Sequence, residues 1–257
     1  MIMPEECSNL LDGRLATAVE LARMAGQSTL ELFCSSGLDV ERKGDDSPVT
    51  LADKRAEQLI RQELAKRFAD DSILGEEFGA TSGSSKYGWI VDPIDGTKSF
   101  ISGVPLYSTL VAVIEQQRAV AGVIYIPALD EIVFAAVGGG CWHSRGGLPA
   151  VRSRVSSRTL DQGLFVLTQV DSFAAHGAEA GYRALEREAY VTRSWGDGYG
   201  YLLVATGRAE LMVDPIANPW DLAAVQVVVD EAGGRSTDWN GKSTYAGGQG
   251  LATNGLV

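Results

Sequence analysis

Apolar positions recur along this chain with two different periods. Leu15, Val19, Ala22, Leu30 and Phe33 fall near helical spacing over residues 14–33, which predicts an amphipathic helix. Ala52, Ala56, Leu59, Ile60, Leu64 and Phe68 repeat the pattern over residues 51–69, with Lys54, Arg55, Glu57 and Arg61 on the other face. Between the two lies ERKGDDSPVTLAD, whose Asp, Ser and Thr suit a loop and a helix start. GATSGSSKYG, residues 79–88, reads as a mobile surface loop. GWIVD, LYSTLVAVIE, AVAGVIYIP and EIVFAAV then follow as β-branched runs separated by short turns, and they predict strands. From Gly163 the rhythm changes. GLFVLT, a helix near 175–189, YVTRSW, a helix near 197–206, AELMVD and a helix over 219–232 alternate in order, the mark of an α/β half.

Composition narrows the class. The chain has 257 residues, enough for one large domain or two closely packed halves. With no polar linker in view, the expected division is an N-terminal α+β half over residues 1–150 and a C-terminal α/β half over 151–257. Hydrophobic residues make up 45% and charged residues 21%, a balance that fits a soluble globular protein. No apolar run approaches the ~20 residues of a membrane helix. The acidic start, MIMPEECSNLLDGR, makes a poor export signal, so the expected location is the cytoplasm. Cys7, Cys34 and Cys141 are odd in number and far apart; neither a disulfide framework nor a CxxC metal site is indicated, and buried or inert thiols are expected.

The formal net charge of −11 argues against a nucleic-acid partner. It also sets a condition on any phosphate substrate, since like charges repel. Carboxylates loaded with divalent cations would invert the local sign.

The candidate chemistry is concentrated in WIVDPIDGTKSFISGVP, residues 89–105. An apolar strand ends at Asp92, and Asp95, Gly96 and Thr97 follow. Pro93 removes a donor, so the chain is expected to leave the sheet there, with both aspartates at the strand's carboxyl end, where α/β sheets bind ligands. Gly96 permits close backbone approach, and Thr97 and Ser99 suit the opening of a short helix whose free amides face an anion. By itself this segment is as readily a turn with a capping aspartate. LGEEFG adds Glu76 and Glu77 at another strand end, and NPWD adds Asp221 at a helix start, where a plain N-cap is the simpler reading. Neither simple reading accounts for acids gathering at three such positions.

GEE, then DPIDGT, then WD about 125 residues later resembles the signature of the inositol monophosphatase-like phosphatases. The resemblance covers nearly the whole chain, including the K-x-D-x-S-P-V-T-x-A-D run from Lys43 to Asp53. It implies a layered αβαβα sandwich and a Mg²⁺-dependent phosphomonoester hydrolase, with two or three ions per site; whether Mn²⁺ substitutes stays open. It further implies that Glu76, Asp92 and the Ile94 carbonyl hold one Mg²⁺, that Asp92, Asp95 and Asp221 hold a second, and that Glu77 supports a third. Thr97 with Glu76 would orient the attacking water, the amides of Gly96 and Thr97 would grip phosphate, and Thr50 and Asp53 would stand behind them, Asp53 polarising the region of the Thr97 hydroxyl. A homodimer is implied as well. Mg²⁺ takes oxygen ligands and keeps several waters, so a few carboxylates plus a substrate phosphate suffice.

Within the family, DGTKSFISGVP and the block TRSWGDGYGYLLVATGRAELMVDPIANPWDLAA look more like the histidinol-phosphatase branch than the inositol branch. Asp214 falls where family members place an acid that contacts the organic part of the substrate, and an ammonium group would suit it. Asp197 and Asn218 are further candidate contacts, with Trp195 and Tyr199 as candidate walls for an imidazole. A turn role for Asp214 and plain core packing for the two aromatics stay open. So do inositol 1-phosphate and a 3′(2′),5′-bisphosphate nucleotide as substrates, and a binding protein that kept the fold without activity.

Other chemistries fit poorly. GKS at 241–243 has Ser236 where a P-loop requires glycine, and Tyr201 breaks the dinucleotide pattern of Gly196, Gly198 and Gly200. His143 and His176, the only histidines, lack cysteine neighbours for zinc. No GxSxG is present. Asp92 and Asp95 are separated by two residues, against the single-residue spacing of an aspartyl-nucleophile phosphatase.

Overall fold

The computed structural model describes residues 3–4, 7, 10–35, 40–42 and 48–257. Lys43 to Ser47, part of the run quoted above, lie outside the described residues. Helix α1 (Arg14–Thr29) is four residues shorter than its apolar pattern suggests. Ser28 and Thr29 turn their hydroxyls back onto the Ala25 and Gly26 carbonyls, 2.6 Å each, which competes with helix continuation. Strands β1 (Val40–Arg42) and β2 (Pro48–Thr50) pair as a small antiparallel ribbon, where a loop was expected. Helix α2 (Leu51–Arg67) starts from a capping box in which Thr50 and Asp53 satisfy each other's end of the first turn.

The first large sheet has eight strands, built from β3 (Ser72–Gly75), β4 (Gly79–Thr81), β5 (Tyr87–Asp95), β6 (Ser108–Glu115), β7 (Arg118–Ile126), β8 (Glu131–Ala136), β9 (Gly140–Arg145) and β10 (Val151–Arg152), with helix α3 (Thr97–Ile101) between β5 and β6. Its order is β10-β9-β8-β7-β6-β5-β3-β4. The Gly/Ser-rich segment at 79–88 is not a free loop. Its first residues form β4, and the amides of Ser84 and Ser85 donate to the Asp70 carbonyl at 2.8 and 2.9 Å. Asp71 anchors the same region, because Arg14, Ser85 and Trp89 all donate to its buried carboxylate.

The second sheet draws on β11 (Leu164–Leu167), β12 (Val191–Arg193), β13 (Leu211–Asp214), β14 (Arg235–Thr237) and β15 (Gly250–Thr253). β11 runs parallel to β12 and β13, while β15 is antiparallel to β13 and β14. The short strands β14 and β15 have little apolar alternation and were not expected. The helix expected near 175–189 is two helices, α4 (Val170–Ala175) and α5 (Glu179–Glu188), divided at Gly177, whose φ of 67° no helix tolerates. Helices α6 (Gly198–Ala205) and α7 (Pro219–Glu231) follow the sequence pattern closely.

Helices and sheets stack in five layers. α1 and α2 cover one face of the large sheet, where Leu15, Leu21, Ile60, Trp89 and Phe134 share a core. α7 lies mainly on its other face and also touches the second sheet, merging Ile90, Leu110, Val225 and Met212 into one cluster. α4 and α5 close the far side through Phe165, Phe173 and Tyr182. This is the layered α/β architecture expected from the resemblance. No helix among the described residues is long and apolar enough to cross a membrane.

Candidate active site

The expectation that Pro93 ends the sheet is incorrect. β5 continues to Asp95 through a bulge: Asp92 pairs with Leu110 and Asp95 with Ser108, so one extra residue is accommodated in β5. In a regular strand, residues three apart point to opposite faces. The bulge restores Asp92 and Asp95 to one face, and Pro93, without an N–H to give, is tolerated at that irregularity. The Ile94 amide donates to Asp92 Oδ1 at 3.0 Å, and the Pro93 carbonyl accepts from Thr109 Oγ1 at 2.8 Å, so both flanks are fixed.

Asp221 reaches the same place from α7. It is not the N-cap, which is Asn218; it is the third helical residue and accepts from the Asn218 amide at 2.6 Å through Oδ2. Asp92, Asp95 and Asp221 each offer a carboxylate oxygen within 4.8 Å of the others. Burial, together with repulsion from Glu76, Asp95 and Asp221, pushes the Asp92 carboxyl well above its ordinary range. Burial and repulsion from Asp197 and Asp221 do the same to Asp95. Asp221 is pushed up to about 7, again chiefly by burial. Clustered buried carboxylates are unfavourable as anions in isolation and favourable around a divalent cation. The donor set is all oxygen, which suits a hard cation and fits the expected metal.

These residues line a cavity of about 880 Å³ together with Glu76, Gly96, Thr97, Asp197, Asp214 and Asn218. Of the other expected site residues, Thr50, Asp53, Ile94 and Glu77 are absent from its lining. Thr50 and Asp53 sit one layer back: Asp53 Oδ2 accepts from the Thr50 amide at 2.8 Å and from Thr50 Oγ1 at 2.6 Å. Burial raises the Asp53 carboxyl to about 6. Thr97 Oγ1 donates to the Ile94 carbonyl at 3.1 Å, which joins two expected site residues directly.

The second half of the chain lines the same cavity with Asp197 and Asp214. Asp214, at the end of β13, accepts from Thr168 Oγ1 at 3.2 Å and from the Ile216 amide at 3.3 Å. Burial, then the charges of Asp197 and Asp221, hold its carboxyl well above the usual range. Asp197 has φ 55° and ψ −157°, a strained conformation for a residue with a side chain. Its carboxylate lies where a Cβ on Gly96 would come within 2.7 Å, so Gly96, with φ 85°, is required both by its own backbone and by this approach. Trp195 lines the cavity and is 42% exposed, whereas Tyr199 packs on the core and does not line it.

Several contributing residues lack any signal in the sequence. Ser108 Oγ and the Gly198 amide each donate to Asp95 Oδ2 at 2.5 Å, from a strand and a helix far apart in the chain. Lys98 reaches across the cleft to Gln169 Oε1 at 3.0 Å and is the one basic side chain in the described lining. Away from the cavity, His143 bonds Glu131 at 2.8 Å, and of the three free cysteines Cys7 and Cys141 are buried while Cys34 is exposed.

A model of the inositol monophosphatase family matches residues 11–256. The chain is 42% identical over 241 residues to a histidinol-phosphatase of Chlorobaculum parvum, covering 93% of this chain and 91% of the relative. It is 38% identical over 244 residues to a histidinol-phosphatase of Mycobacterium tuberculosis, covering 95% and 94%. Among solved structures, the extragenic suppressor protein SuhB of Bartonella henselae superposes with a TM-score of 0.86 at 30% identity, covering 95% and 94% of the two chains.

Proposed function

The chain belongs to the inositol monophosphatase family and is a phosphomonoester hydrolase, and from that premise we propose that it is a Mg²⁺-dependent histidinol-phosphate phosphatase. Water attacks phosphorus, the ester P–O bond breaks, and L-histidinol and inorganic phosphate leave. The observation that carries the substrate is the pair Asp197 and Asp214, which line the same cavity as the carboxylate triad. A phosphate bound at the triad would point its organic end toward these acids, where the ammonium group of histidinol finds opposite charge. Histidinol-phosphatase relatives at 42% and 38% identity support the same reading.

Glu76, Asp92, Asp95, Asp221 and the Ile94 carbonyl would hold the metal, with Glu77 as a candidate for a further ion. Bound there, paired Mg²⁺ would lower the pKa of the attacking water and offset charge on the phosphoryl and leaving oxygens. The protein's own groups do the positioning. Thr97 and Glu76 orient the attacking water, the Gly96 and Thr97 amides bind the phosphate, and Asp53 with Thr50 fixes the start of α2 beside the site. Asn218 and Trp195 border the organic group.

A side-by-side phosphate-release assay with Mg²⁺ tests the reading. The highest kcat/KM is expected for L-histidinol phosphate, above inositol 1-phosphate and 3′-phosphoadenosine 5′-phosphate. A preference for either of the latter two overturns it.

A further inference from the structure

We propose that Glu57 is the positioning residue that fixes Glu76 in the active site by gripping the backbone of the turn that carries it. The proposal rests on the reading of Glu76 as a metal ligand. Glu57 lies on α2, is fully buried, and is not in the cavity lining. Its Oε2 accepts from the Glu77 amide at 2.7 Å, and its Oε1 accepts from the Phe78 amide at 3.2 Å. These are the two amides that follow Glu76 in the chain. The Glu76 amide itself donates to the Val91 carbonyl at 3.3 Å, tying it to β5, the strand that carries Asp92.

The grip is itself braced. Arg61, one turn further along α2, donates Nε to Glu57 Oε1 at 2.7 Å. Its Nη1 donates to Thr81 Oγ1 at 2.9 Å, and its Nη2 to the Gly79 carbonyl. Helix α2 therefore holds the turn and the β4 arm of the β3–β4 hairpin. Gly75 completes the fit, since a Cβ there would stand 2.0 Å from Glu57 Oε1.

A hairpin can close with turn hydrogen bonds alone, and burying a carboxylate is costly unless its oxygens are fully engaged. Here three donors engage them, two of them amides of the one turn and the third Arg61. The result is a rigid platform for Glu76, which must meet Asp92 and Asp221 across separate elements while like charges push it away. Groups behind a ligand commonly control metal affinity in this manner, by about 10–100-fold.

The test is a calorimetric titration of the metal-stripped full chain with Mn²⁺, at a temperature where circular dichroism shows each variant folded. Glu76→Gln serves as the reference variant. Glu57→Gln is expected to weaken Mn²⁺ by about 10-fold or more, as Glu76→Gln does, and Arg61→Met by a smaller factor. A purely structural role would lower Tm and leave the Mn²⁺ affinity of the folded variant unchanged. That result for Glu57→Gln, with Glu76→Gln impaired, overturns the proposal. If Glu57→Gln does not fold, Arg61→Met decides: wild-type Mn²⁺ affinity overturns it. If Glu76→Gln itself binds Mn²⁺ as the wild type does, the ligand assignment fails and the clamp fails with it.

Discussion

Asp95 shows how a single carboxylate is held in place by residues remote in sequence. Its Oδ2 accepts from both Ser108 and the Gly198 amide, and a Cβ on Gly198 would come within 2.7 Å of that oxygen. Its outer partners thus fix one oxygen of a carboxylate that reaches within 4.8 Å of those of Asp92 and Asp221. Asparagine has the same shape and can keep an acceptor toward Ser108 and Gly198, but it carries no charge for a cation. Asp95→Asn is therefore expected to fold normally while Mg²⁺-dependent phosphate release falls by about 100-fold or more. Near-normal turnover would refute the role of the triad. The acids themselves were legible in the sequence because DPIDGT, GEE and WD are short local signatures. Ser108, Gly198, Lys98 and Glu57 were not, since their roles arise from contacts that only the folded chain creates.

Elements bring these residues into register, and α7 is the one on which most depends. It carries Asp221 in its first turn and lies directly on β7. Ala112, Gly122 and Ala135 form a row of small residues across β6, β7 and β8, which lets the helix approach closely. A Cβ on Gly122 would come within 2.1 Å of the Ala224 carbonyl oxygen, a backbone atom that cannot swing aside. Gly122→Ala must push α7 outward or bend β7. The expected cost is about 1–3 kcal/mol, the usual range for overpacking, read as a lower denaturation midpoint in urea at unchanged slope. Because Asp221 moves with the helix, Mn²⁺ affinity should fall too; an unchanged midpoint would show that the helix is not seated as described. Strong periodicity made α7, α2 and strands β5 to β8 readable in advance. The bulge in β5 left no such trace, because Pro93 is compatible with either a strand end or an irregularity, and only the pairing of Asp95 with Ser108 decides.

At the scale of the molecule, the site exists because two sheets meet. Asp92 and Asp95 come from the first sheet, Asp214 from the second, and Asp221 from the helix between them. Folding therefore gathers acids that the unfolded chain keeps apart, in a protein whose net charge is already −11. This has a consequence for stability against pH. Asp53 is raised to about 6 and Asp221 to about 7, and Asp92, Asp95 and Asp214 also move upward, burial being the largest cause in each case. In the unfolded chain these groups titrate near about 4. Between that value and the raised folded values, the folded state binds more protons than the unfolded state, so stability falls as pH rises through this window. Held in a chelator, the protein is expected to show a higher Tm at about pH 5 than at about pH 8. Saturating Mg²⁺ should raise the pH 8 value most, because a cation that binds only the folded state adds stability according to its affinity and replaces the protons the carboxylates have lost. A chelated sample whose Tm instead climbs with pH across this window would mean that the acids do not gather in the folded state, and the junction between the sheets would then not be a metal centre.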